Sequence, residues 1–78
     1  MKATNPILAK MESIISNIAG VSAEIAILGA ARSYISIMME GQQVAACERL
    51  AAFFGRNFDS YEYDEELDAT YAGIELNK

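Results

Sequence analysis

The chain has 78 residues with no histidine, no tryptophan, one cysteine and a formal charge of −5. That inventory excludes most catalytic and metal-binding constellations, and the length allows a single domain spanning 1–78 with only a thin hydrophobic core. The lone Cys47 lies in the apolar run Val44, Ala45, Ala46 and reads as a small core residue in a reducing compartment. The N-terminus carries no secretory pattern. The most apolar window, Val21 to Met39, holds Glu24 and Arg32, so a soluble, cytoplasmic chain without membrane contact is expected.

Thirteen alanines and one proline favour helices, although nine isoleucines would suit strands equally. Asn5 and Pro6 form a helix start, and Ile7, Leu8, Met11, Ile14, Ile15 and Ile18 then recur at helical spacing until Gly20, a suitable C-terminal stop. Ser22 and Glu24 open a second predicted helix. Its residues from Ile25 to Met39 are apolar nearly all round, with Gly29, Arg32, Ser33, Ser36 and Glu40 as a narrow polar stripe. A helix of that kind needs neighbours on several sides, so self-association as a homodimer or higher oligomer is expected, with Ile27, Ala31, Tyr34, Ile35 and Met38 at the interface.

Gly41 is the candidate break before a third helix in which Val44, Cys47, Leu50, Ala51, Phe53 and Phe54 make the inner face. A helical hairpin is favoured over one long helix from about Ala23 to Phe54. Gln42, Arg49 and Arg56 recur every seven residues on its outer side.

Beyond Arg56 the composition changes. Residues 1–56 carry five basic and four acidic groups, whereas 57–78 carry one basic and seven acidic. Asp59 followed by Glu62 imitates a capping box, and Tyr63, Leu67, Tyr71 and Ile74 would share one face of a fourth helix ending near Gly73. A terminal strand from Tyr71 to Leu76 is the competing reading. The expected fold is therefore an all-α bundle of three to four helices with a central helical hairpin, in which the acidic segment 57–78 packs on the third helix. No internal repeat stands out.

Nothing groups serines, carboxylates or lysines into a catalytic pattern, and the five isolated glycines build no phosphate loop, so no enzyme, cofactor or metal site is expected. The acidic cluster lacks the alternation and central glycine of a calcium loop. Asp59, Tyr61, Glu62, Tyr63, Asp64, Glu65, Glu66 and Asp68 instead combine a negative field with aromatic anchors, which suits docking to a basic protein partner. The plainer reading of that segment is a solvated, solubilising face. The expected function is thus a non-catalytic interaction module: a small acidic inhibitor or adaptor that blocks a larger basic or nucleic-acid-handling macromolecule, comparable in size and charge alone to phage-encoded inhibitors of host or defence machinery. The alternative is a helical oligomer holding a small anionic ligand such as a nucleotide between subunits with Arg32, Tyr34 and Arg49. Direct binding to duplex nucleic acid is not expected at this charge.

Overall fold

The computed structural model describes residues 6–29 and 33–77. The chain runs α1 (Pro6–Ala19), β1 (Glu24–Leu28), β2 (Tyr34–Glu40), α2 (Val44–Phe54), a short 3-10 turn (Gly55–Asn57), β3 (Phe58–Asp64) and β4 (Ala69–Glu75). The four strands form one antiparallel sheet in the order β1-β2-β4-β3. The all-α helical bundle expected from composition is therefore wrong: the fold is α+β, two helices packed on one face of a four-stranded sheet.

α1 runs from the predicted Pro6 start to the residue before Gly20, and Asn5, expected to cap it, lies outside the described residues. Gly20, at φ +80°, ends it and returns its N–H to the Ser16 carbonyl at 2.8 Å. The C-terminal carbonyl of Ala19 receives the Arg49 guanidinium from α2 at 2.6 and 2.8 Å, a cation at the negative end of the helix dipole. Two further side chains of α1 tie down the incoming strand: Ser16 Oγ accepts the Ala23 N–H at 2.9 Å and Glu12 Oε2 accepts that of Ile25 at 3.1 Å.

The segment expected to be an all-round apolar helix is instead the β1–β2 hairpin, and the reason is its period. Ile25, Ile35, Ile37 and Met39 are buried and alternate with outward residues, while Ile27 is half-buried on the same inner side. Leu28, Tyr34 and Met38 lie on the opposite side, so apolar residues occupy both faces and imitate a helix that is apolar throughout. Glycine fits this segment too, because Gly29 sits at φ +90° immediately after β1. The central helical hairpin is accordingly wrong: Gly41, at φ +79°, does break the chain and Val44–Phe54 is a helix, but the arm before it is strand.

The acidic segment is not a helix packed on α2 either. Asp64 Oδ1 accepts the N–H groups of Glu66 and Leu67 at 2.9 and 3.3 Å, which turns the chain, and Asp68 takes the left-handed conformation at φ +50°. Tyr63, Leu67, Tyr71 and Ile74 consequently share no face. Ile74 is buried in the core, whereas Leu67 sits exposed in the turn. The competing terminal strand is the form adopted, as β4, and it takes a central position in the sheet. Viewed as α1-β1-β2 followed by α2-β3-β4, the topology is pseudo-twofold, a symmetry the amino-acid sequence does not display.

The core between helices and sheet joins Ile15 and Ala19 of α1, Ala46, Cys47 and Leu50 of α2, and the inner residues of the strands. Burial pushes the Cys47 thiol above its ordinary pKa, as expected of a packing residue. No described helix is long and apolar enough to cross a membrane.

Candidate interaction surface

Since β2 turns Ile35, Ile37 and Met39 toward the helices, Tyr34, Ser36, Met38 and Glu40 must point the other way. Strand register extends that outer face across the sheet. Glu24, Ala26 and Leu28 join from β1, Ala69, Tyr71, Gly73 and Glu75 from β4, and Ser60, Glu62 and Asp64 from β3. A bulge between Phe58 and Ser60 opposite Ile74 and Gly73 brings Asp59 to the same side, where it meets Tyr34.

The middle of this face is shaped by one glycine. The Tyr34 ring crosses Gly73 so closely that a Cβ there would lie 1.8 Å from the phenol oxygen, and the hydroxyl donates to Asp59 Oδ2 at 3.2 Å. Partial burial of the ring, the hydrogen bond to Asp59 and the charges of Asp59 and Glu75 all push the Tyr34 phenol above its ordinary value. Beside it, Ser36, Ser60, Glu62 and Tyr71 line a shallow depression of about 160 Å³. A second depression, of about 180 Å³, has Met38 beside it and Ser22, Glu24 and Glu40 around it.

The electrostatics of the face are one-sided. The strands contain six carboxylates, Glu24, Glu40, Asp59, Glu62, Asp64 and Glu75, and no lysine or arginine. All six lie on the outer face or, for Asp59, at the bulge that opens onto it. Lys10, Arg49 and Arg56 belong to α1, α2 and the turn after α2. Among the described residues no group of three or more carboxylate or cysteine side chains is arranged to hold a metal ion.

The residues singled out in the acidic segment are divided by this architecture. Asp59, Glu62 and Asp64 belong to the outer face, whereas Tyr61 and Tyr63 alternate to the helical side, opposite Ala72 and Thr70. Tyr63 donates to Asp68 Oδ1 at 2.6 Å, and that bond is the main reason its phenol, like that of Tyr34, is pushed above the ordinary value. Glu65, Glu66 and Asp68 are exposed at the tip of the β3–β4 hairpin. Glu24, Glu40 and Glu75 were missed as members of the surface. Each stands next to an inward-facing or half-buried neighbour in a strand, and strict alternation through Glu24-Ile25 and Met39-Glu40 was the signal that could have found them.

The residues expected at a self-association interface are split as well. Ile35 is 3% exposed and faces the helices with Ile27, Tyr34 and Met38 lie on the outer face, and Ala31 falls outside the described residues. Of the alternative ligand set, Arg32 also falls outside them. Tyr34 and Arg49 stand on opposite sides of the sheet, the latter occupied by the Ala19 carbonyl. No family model, curated protein or solved structure matches the chain.

Proposed function

We propose that this protein is a non-catalytic interaction module that binds a basic protein partner through the outer face of its sheet, acting as a small acidic adaptor or inhibitor of that partner. The observation that carries the reading is the segregation of six strand carboxylates onto one face together with Tyr34, Tyr71 and Met38, with no cationic residue in any strand. Such a face offers two kinds of contact at once. The carboxylates steer a cationic surface into encounter, and the tyrosines and Met38 supply the apolar area that retains it. The depression between Glu24 and Glu40 has the chemistry to take a lysine or arginine head group, with its aliphatic stem laid against Met38. The buried thiol of Cys47 is compatible with work in a reducing, cytoplasmic setting.

The test uses the full chain and a synthetic lysine- and arginine-rich decapeptide, with an acidic decapeptide as control. Binding followed by amide chemical shifts should move Glu24, Ser36, Met38, Glu62, Tyr71 and Gly73 and leave α1 in place. Changing Glu24, Glu40, Glu62 and Glu75 together to glutamine should weaken association at least 10-fold and flatten its salt dependence, because charges of this kind act over about 10 Å at 0.1 M salt. Equal affinity of that variant, or shifts confined to the helices, would remove the reading.

A further inference from the structure

We infer that the helical side of the molecule is a self-association surface, so that two copies meet through α1 and α2 with their acidic sheet faces turned outward. The surface begins with an apolar groove of about 210 Å³ lined by Met11, Ile14 and Ile15 of α1, Phe54 of α2, Ile35 of β2 and Leu76. Its edges are unusually bare for so small a chain. Ile14 and Leu76 are 48% and 47% exposed, and Phe53, packed edge-on against Phe54 with ring centroids 4.9 Å apart, is 65% exposed. Ile7 continues the same stripe one and two turns before Met11 and Ile14 and is also exposed. The apolar stripe of α1 is thus wider than the sheet beneath it can cover.

Two observations choose a second copy as the occupant. The first is charge. A dimer through the outer sheet face would set twelve strand carboxylates against one another, whereas α1 and α2 carry Lys10, Glu12, Glu48 and Arg49, which balance. The balanced side is the one that tolerates its own image. The second is shape and area. A twofold contact that seated the projecting Phe53 ring of each copy in the groove of the other would satisfy knob and hole twice by one operation. With aromatic and aliphatic side chains of about 150–250 Å² each, Ile7, Ile14, Phe53 and Leu76 together offer on the order of 400 Å² of apolar surface per copy. Adding Met11, Phe54 and a polar rim brings the contact toward the roughly 800 Å² per partner of an ordinary stable interface.

Sedimentation equilibrium of the full chain between 5 and 500 µM (on the order of the usual range for weak dimers) should give a mass rising to twice 8.5 kDa. Phe53→Glu should weaken the dimer at least 10-fold while leaving the circular dichroism spectrum unchanged, since the ring is largely outside the core. Amide shifts of the wild-type chain on dilution supply a readout that needs no variant: residues of α1 and α2 and Leu76 should move, and the strand residues of the outer face should not. The glutamine variant at Glu24, Glu40, Glu62 and Glu75 should dimerise as the wild type does, which keeps this surface separable from the partner-binding one. A monomer at the highest concentration, a dimer indifferent to Phe53→Glu, or dilution shifts on the outer sheet face would each overturn the inference.

Discussion

Thr70→Val isolates one buried hydroxyl that holds the corner between the sheet and α2. Thr70 is fully buried in β4, and its Oγ1 donates to the Gly41 carbonyl at 2.7 Å while accepting the Gln43 N–H at 2.9 Å. Gly41 is clamped from its other side by its own N–H, which donates to the Asp68 carbonyl at 2.7 Å. Valine keeps the branched shape and the strand preference but abandons two backbone groups. Each would cost about 1–3 kcal/mol if fully buried, and the partial burial of this corner sets the pair near a total of ~2–3 kcal/mol. Replacing the hydroxyl by a methyl returns roughly 0.8 kcal/mol of apolar burial, leaving a net loss near 2 kcal/mol. Seventy-eight residues at about 0.05–0.15 kcal/mol each make a domain of some 4–12 kcal/mol, so the loss is a large fraction of the whole. In urea, with a slope near 1 kcal/mol/M for so small a chain, the unfolding midpoint followed by circular dichroism should fall by roughly 2 M. Thr70→Ser retains both hydrogen bonds and forfeits only a methyl group, about 1 kcal/mol. A valine variant as stable as the serine variant, or more so, would refute the assignment of the corner to the hydroxyl.

Tyr34→Phe should flatten the alkaline limb of stability. The folded-state pKa of Tyr34 is raised above 10.0, so the protonated phenol favours the fold fully below pH 10, and this contribution fades as the pH climbs through the folded value. Urea unfolding at pH 9 and pH 11 should therefore differ less in the variant than in the wild type; an unchanged difference would argue against a raised Tyr34 phenol. Gly73→Ala should displace the Tyr34 ring, because the new methyl would claim the space of the phenol oxygen. Stability should change by less than about 1 kcal/mol, since alanine recovers backbone entropy that glycine loses. An absorbance titration should then show the Tyr34 phenol nearer its ordinary value, and an unmoved titration would count against the stacked position.

Helices α1 and α2 were legible because each has apolar residues at three and four residue spacings and a glycine where the chain leaves the helix. The strands were not, apart from the terminal one that competed with a fourth helix, and the causes can be named. Between Ile25 and Met39 the outer face carries Leu28, Tyr34 and Met38, so alternation is blurred and the run imitates a buried helix; the sequence between Leu28 and Tyr34 also lacks an asparagine-glycine or aspartate-glycine pair. In the acidic segment Asp59 and Glu62 reproduce a helix-capping spacing, but the residue that organises the chain is Asp64, which caps a turn rather than a helix. The acidic character of the outer sheet face could be read in part in 57–78. Its true extent could not, since Glu24 and Glu40 lie outside that segment and join the face only through the pairing of β2 with β4, and Glu75 joins it through its place in β4 rather than in the acidic cluster.

The placement of those carboxylates gives the proposed recognition face a test that a merely solubilising face would fail. Charge that merely keeps a chain in solution can be spread over every exposed position, and spreading it minimises self-repulsion. Here the strands do the opposite. Acids in one row of the sheet, such as Glu40 and Asp64 on either side of Ala69, stand about 10 Å apart at a strand spacing of ~4.8 Å. A pair at that distance repels by roughly 0.4 kcal/mol in water, and screening at 0.1 M salt brings this to ~0.15 kcal/mol. Summed over the six groups the penalty is on the order of 1 kcal/mol, small for one pair but appreciable in a domain of this size. The glutamine variant that should lose the basic partner therefore has no reason to lose the fold, and its urea midpoint should equal or exceed that of the wild type. Weaker binding accompanied by equal or greater stability is the combination that a recognition face produces and a merely solubilising face does not.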